Sequence, residues 1–192
     1  MKTFDVIALG ELNVDLILNR IAGFPEVGKE IFARDMICTL GSSTAIFAAN
    51  VSALGARTAF AGMIGRDAFG ELVRGSLEAR GVDTRYVIEA ADRATGVTVV
   101  MSYGEDRANV TYPGAMEALR FADLDPEIFL SARHIHLSSL FMQPGLLADI
   151  VPILRAAHDG GATVSLDTQW DPAEEWRIDC RSSTSSCPTR RN

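Results

Sequence analysis

Residues 40–73 read LGSSTAIFAANVSALGARTAFAGMIGRDAFGELV, and the character of the sequence changes three times within them. SSTAIFAANVSALG, 42–55, has a serine suited to an N-cap, apolar residues at helical spacing and a closing glycine, which predicts a helix. RTAFAGMIG, 57–65, is a continuous apolar run that predicts a buried strand. RDAFGELVRGSLEARG, 66–81, returns to helical spacing and closes at Gly81. Alternation of this kind predicts an α/β domain whose mostly parallel central sheet is covered on both faces.

The pattern extends in both directions. Upstream, FDVIALG (4–10) is another apolar run ending in glycine, followed by Glu11, Asn13 and Asp15 at alternate positions. Alternation aims these three to one side, and ligands of open α/β sheets sit beyond the carboxyl ends of strands. The triplet is therefore either a binding site or a solvated turn. Downstream, TRYVI (84–88) predicts a short strand, and GVTVVMSYGEDRANVTY (96–112) predicts a hairpin about Gly104-Glu105-Asp106. With residues 16–38 this hairpin is expected to form a small antiparallel flap. ARHIHLSS (132–139, strand), GLLADIVPILRAAHDGG (145–161, helix) and ATVSLDT (162–168, strand) resume the alternation, with Pro152 marking a kink or the first turn of a shorter helix.

A chain of 192 residues with 47% apolar and 22% charged residues can bury a core without disulfides or metal. Its net charge of −7 argues against a nucleic-acid surface. Cys38, Cys180 and Cys187 form no disulfide framework and no four-ligand metal set. The N-terminal apolar run is cut by Asp5, Glu11 and Asp15, so neither a signal peptide nor a membrane span is expected. A soluble, cytoplasmic protein is the expectation, with no membrane partner.

Gly23 to Glu30 imitates a phosphate loop, G-x4-G-K, but has Glu30 where Ser or Thr would meet magnesium, and Pro25 removes an amide donor. No G-x-G-x-x-G follows a strand. Gly41-Ser42-Ser43, by contrast, opens a predicted helix where small residues let an oxygen-rich ligand approach backbone amides; an ordinary N-cap is the plainer alternative. His134 and His136, near a strand end, are candidates for ligand contact, with core or surface roles equally open.

Four stretches together resemble the ribokinase-like (PfkB) family of carbohydrate kinases: GELNVDLIL (10–18), FPEVGKEIFARD (24–35), residues 40–73, and VSLDTQWDPAEEW (164–176). The most specific part is the helix, LGA, strand and G-x-x-G-x-D-x-F-G order in the third stretch. The resemblance runs from residue 4 to about 179. It implies a Rossmann-like αβα sandwich with a β-lid closing over a sugar, ATP and magnesium as cofactors, and phosphorylation of a sugar hydroxyl. It implies that Asn13 and Asp15 bind sugar hydroxyls, that Gly41 and Ser42 bring backbone against the sugar, and that Tyr103, Arg107 and Asn109 belong to the lid. It also implies a homodimer through paired lids. Two positions depart from the family pattern: its paired glycine is Gly41-Ser42, and its polar Asn in the same motif falls on Ile46, which removes an expected sugar contact.

The family's catalytic aspartate, in a G-x-G-D motif, and its N-x-x-E motif do not occur in these 192 residues. The expectation is therefore an N-terminal kinase portion, residues 1–179, carrying the sugar side of the site and having no turnover of its own. The alternative is a non-catalytic sugar-binding or dimerisation module. Residues 180–192 hold three Arg, four Ser and two Cys without an acid or a large aliphatic residue. A one-base shift in a G/C-rich frame encoding VDVFLPNEAE yields STSSCPTRRN, residues 183–192, so a frameshift shortly after Ile178 is the expected origin of this non-native or disordered tail.

Overall fold

The computed structural model describes residues 2–178. Residues 180–192 and the expected frameshifted segment lie outside them.

Five parallel strands form the main sheet: β1 (Phe4–Leu9), β4 (Thr58–Gly65), β5 (Asp83–Ala90), β8 (Ala132–Ser138) and β9 (Thr163–Asp167), in the order β5-β4-β1-β8-β9. The apolar runs read from the sequence are buried on both sides. Ile7 and Leu9 join Ala59, Ala61, Ile135 and Leu137 in one layer, while Ala8 joins Phe60 and Ile64 in the other. α1 (Ser43–Ala53) and α2 (Ala68–Glu78) supply the second layer with Ala45, Ala48, Val73 and Leu77. α3 (Glu127–Ser131), α4 (Pro144–Ala148) and α5 (Ile150–Asp159) cover the first, with Ile128, Leu146 and Ile153. The stretch expected as one helix over 145–161 is divided at Asp149, and Pro152 lies in the first turn of α5, where its missing N–H costs no helical bond.

The second sheet is the lid. It contains β2 (Asn13–Asn19), β3 (Asp35–Leu40), β6 (Gly96–Tyr103) and β7 (Asp106–Tyr112), in the order β3-β2-β6-β7. The β6–β7 hairpin turns over two residues with Gly104 at φ 61°, as the sequence suggested. The expectation of an antiparallel flap is corrected, because β2 and β6 pair in parallel, Asn13 with Gly96 through Leu18 with Met101. The physical reason is connectivity. β2 and β6 each leave the carboxyl end of a parallel main-sheet strand, β1 and β5, so they emerge in the same direction with a long crossover between them. The lid also begins earlier than residue 16, so Asn13 and Asp15 stand on a lid strand rather than in a turn beyond β1.

The phosphate-loop imitation lies between β2 and β3, in an exposed turn closed by the Lys29–Glu26 ion pair and by Gly28 at φ 81°. It joins no strand to a helix, which is the context a phosphate cradle requires.

Candidate functional site: a cleft under the lid

The chain runs from β1 to β4 and β5 on one side, then returns to β8 and β9 on the other. This reversal opens a crevice at the carboxyl ends of β1 and β8. The lid roofs it, leaving a cleft of about 300 Å³.

The floor is a dense hydrogen-bond knot in which, among the described residues, Gln143 Oε1 alone stays unpartnered. Glu11, 4% exposed, accepts from Ser43 Oγ at 2.9 Å and Thr44 N at 3.2 Å through Oε1; Oε2 accepts from the Thr44 hydroxyl and from Gln143 Nε2 at 3.2 Å. The N-terminus of α1 thus compensates a buried carboxylate. Ser42 caps α1 by accepting from Ala45 N at 2.9 Å while donating to Glu11 O at 2.7 Å. Its φ is 69°, the left-handed region that glycine adopts without strain. A glycine here would take this φ freely, whereas Ser42 accepts the strain and makes two hydrogen bonds. Ser43 Oγ lies 2.6 Å from Ser138 Oγ and 2.8 Å from Ser139 Oγ, tying α1 to the end of β8.

The roof is polar and open. Strand pairing aligns Asp15, Thr98 and Thr111 in one rank across the lid. Asn13 Nδ2 donates to Asp15 Oδ1 at 3.1 Å and to Thr98 Oγ1 at 3.0 Å, and Thr98 and Thr111 hydroxyls are 3.0 Å apart. Burial pushes the Asp15 carboxyl above the usual range, while the Asn13 amide and the Arg107 charge draw it partly back. A carboxylate with one engaged oxygen still offers acceptor sites to ligand hydroxyls.

Of the residues singled out from sequence, Asn13, Asp15, Ser42, Ile46, Arg107 and Asn109 line this one cleft. Gly41 stands behind it: a Cβ there would lie 2.3 Å from Asp15 Oδ1 and 2.7 Å from Asn13 Nδ2, so glycine makes room for the acid and amide. Tyr103 is not brought to the cleft. It pairs with Asp106, on the lid face opposite Arg107, and its ring meets Phe24 edge-on at 6.1 Å between centroids. His134 and His136 also lie elsewhere, both bound to Ser165 Oγ at 2.7 and 2.8 Å, with His136 stacked on Phe47. Burial pushes both imidazoles below their ordinary value.

Glu11 of the polar triplet and Ser43 of the Gly41-Ser42-Ser43 motif line the cleft too, and sequence reasoning missed Thr98, Thr111, Ser139 and Gln169. Thr111 was within reach, since it continues the Arg107, Asn109 alternation along β7. Ser139 at φ 52° and Gln169 at φ 55° sit after strand ends in turns that carry no sequence signature.

An open parallel α/β sheet with a mixed-sheet lid over a polar cleft defines the class: a lidded α/β protein. The chain belongs to the pfkB family of carbohydrate kinases, whose pattern it matches over residues 3–179. A nucleoside kinase of Methanothermobacter thermautotrophicus is 29% identical over 136 residues, 70% of this chain and 44% of that protein. Fructokinase-2 of Solanum lycopersicum is 26% identical over 182 residues, 88% and 53% of the two chains. Among solved structures, fructokinase with bound ATP from Xylella fastidiosa superposes with a TM-score of 0.73 at 24% identity, covering 88% of this chain and 53% of that one. A PfkB protein from Polaromonas sp. JS666 gives 0.76 at 23% identity, covering 88% and 57%. The chain thus spans about half the length of these relatives.

Among the described residues no three His, Cys, Asp or Glu side chains converge where they could hold a metal ion. Near the cleft, Glu11 is consumed by α1 and Asp15 faces the lid rank.

Proposed function

We propose that this chain provides the sugar-binding side of an ATP-dependent carbohydrate kinase and that, alone, it transfers no phosphoryl group. The observation that carries the reading is the rank Asn13, Asp15, Thr98 and Thr111, a set of acceptors and donors matched to a polyhydroxylated ligand and roofing the cleft at the sheet's topological switch. In this reading Asn13, Asp15 and Asn109 bind hydroxyls, Gly41 and Ser42 shape the wall, and Ile46 presents an apolar surface, 46% exposed, to the sugar's carbon face. Phosphoryl transfer needs a positioned base and charge neutralisation at the triphosphate, and the family's G-x-G-D aspartate is absent from the sequence.

Two measurements test this. Calorimetry with a sugar panel is expected to show binding without nucleotide. A coupled assay with magnesium and ATP is expected to show no sugar phosphate; steady turnover by the purified chain would contradict the inactive reading. The frameshift proposal has its own test in the nucleotide sequence past codon 192. A G-x-G-D in a shifted frame supports it, and the absence of kinase coding sequence in every frame contradicts it.

A second reading, a homodimer through the lid, is favoured by one observation. The lid face opposite the cleft is apolar, with Leu16 paired to Cys38 and Val99, and Val99 to Val110, while Met36, Val110 and Tyr112 are 65%, 61% and 57% exposed. Sedimentation of the chain against a variant carrying V110K distinguishes a dimer from a monomer. For localisation, a soluble cytoplasmic protein remains the proposal; among the described residues no helix is long and apolar enough to cross a membrane.

A further inference from the structure

The arginines of the described chain are mostly engaged. Arg57 is paired with Asp5, Arg85 with Asp83, Arg93 with Glu117 and Arg120 with Asp149. Arg107 differs: it lines the cleft, is the cation of that lining, and has no ion pair within 4.0 Å and no side-chain hydrogen bond among the described residues. The carboxylates that share the cleft do not neutralise it at contact. Glu11 is bound by the N-terminus of α1 and by Gln143, while Asp15 is close enough to feel the Arg107 charge without meeting it.

The lid register orders the chemistry along the cleft. Nearest the hinge is the hydroxyl-binding rank of Asp15, Thr98 and Thr111; next comes Val100 paired with Asn109; furthest out is Arg107, paired with Ser102. A ligand lying along this axis meets hydroxyl partners first, a mixed belt of Val100 and Asn109 second, and a guanidinium last.

We propose that the acceptor is a sugar acid whose terminal carboxylate is held by Arg107. This rests on the sugar-site reading and adds to it the class of sugar. A guanidinium matches a carboxylate with two parallel hydrogen bonds, and a charge-assisted contact of this kind discriminates more strongly than a neutral one. The anion could instead be a phosphate monoester, but that group carries about −1.5 to −2 charges at neutral pH. One guanidinium beside the Asp15 carboxyl balances a monoanion better.

The test is calorimetry on the 192-residue chain with D-gluconate, D-glucitol and D-glucitol 6-phosphate, which share a six-carbon polyol and differ at one end. Wild type is expected to bind gluconate about tenfold more tightly than glucitol at low salt, with the ratio shrinking at about 0.5 M salt. R107Q is expected to collapse that ratio to within about twofold and R107K to keep part of it, because lysine retains charge without the fork. Arg107 is exposed on a hairpin, so both variants should fold, as circular dichroism would verify. Equal binding of gluconate and glucitol by wild type overturns the proposal and leaves the sugar site standing. Full preference retained in R107Q overturns it as well. Tightest binding of the phosphate ester overturns the carboxylate assignment. No binding of any probe contradicts the sugar-site reading itself and the proposal with it.

Discussion

Glu11 and Asp15 lie four residues apart, both border the same cleft, and their surroundings could hardly differ more. Around Glu11 both carboxylate oxygens are engaged by side-chain or backbone donors from α1 and from Gln143. Around Asp15 only Oδ1 is engaged, by Asn13, and the remaining acceptor capacity faces the space under the lid. A buried carboxylate whose acceptor sites are filled by its own chain holds architecture together. One left partly unsatisfied, with its pKa pushed up by burial, is poised to exchange solvent for ligand. The two acids looked alike in sequence, at alternate positions of one short stretch, and the hydrogen-bond partners alone separate their roles.

The strongest way to break this contrast is E11A. It leaves the Thr44 N–H and hydroxyl without their carboxylate acceptor, while the Ser43 hydroxyl and the Gln143 amide keep only their partners at Ser138 and Ser139, which is expected to cost about 3 kcal/mol of stability in urea unfolding. A loss below about 1 kcal/mol would mean that the knot is not structural. D15N should do the reverse. Sugar affinity is expected to fall about tenfold or more, with little loss of stability because a charge disfavoured by burial is removed.

The same acid has a signature in pH. Its folded-state pKa is raised, so in the range above its unfolded value the native chain binds more protons than the unfolded one. Stability contributed by Asp15 is therefore greatest at low pH and declines as pH rises through the raised value. Thermal melts between about pH 4 and pH 7 should show the stability of wild type relative to D15N declining as pH rises; a difference that does not change with pH would contradict the assignment.

Smaller effects sharpen the boundary between the two regions. S42A removes both hydrogen bonds of the α1 cap and should cost about 1 kcal/mol. S42G removes the same bonds but relieves the left-handed backbone, so it should cost less than S42A. The reverse order would show that the φ of 69° carries no strain. The smallest change is expected at Ile46, where I46N restores a polar group to the wall and should tighten sugar binding about two- to fivefold by calorimetry.

Much of the main sheet was legible because its strands are continuous apolar runs and its helices carry local caps, Ser42 for α1 and Asp67 for α2. β2 was harder, since its pairing with β6 joins segments about eighty residues apart and nothing local announces it. That one missed pairing explains both the early start of the lid and its mixed topology. Within the lid, the parity of the β6–β7 hairpin separates Arg107 from Tyr103, because Arg107 faces Ser102 while Tyr103 faces Asp106. The family resemblance placed both in the lid, and both lie on lid strands, but only Arg107 lines the cleft. Thr98 and Ser139 were invisible for a different reason, being common residues whose value comes only from what the fold sets beside them.

The central claim is that the Asp15 rank binds a sugar in the absence of nucleotide. The most direct measurement is titration calorimetry of the wild-type chain and D15N with a sugar panel in the absence of ATP. The account predicts saturable one-to-one binding of at least one sugar by wild type and its loss in D15N. Equal binding by both, or no heat from any sugar with a folded wild-type chain, would contradict it.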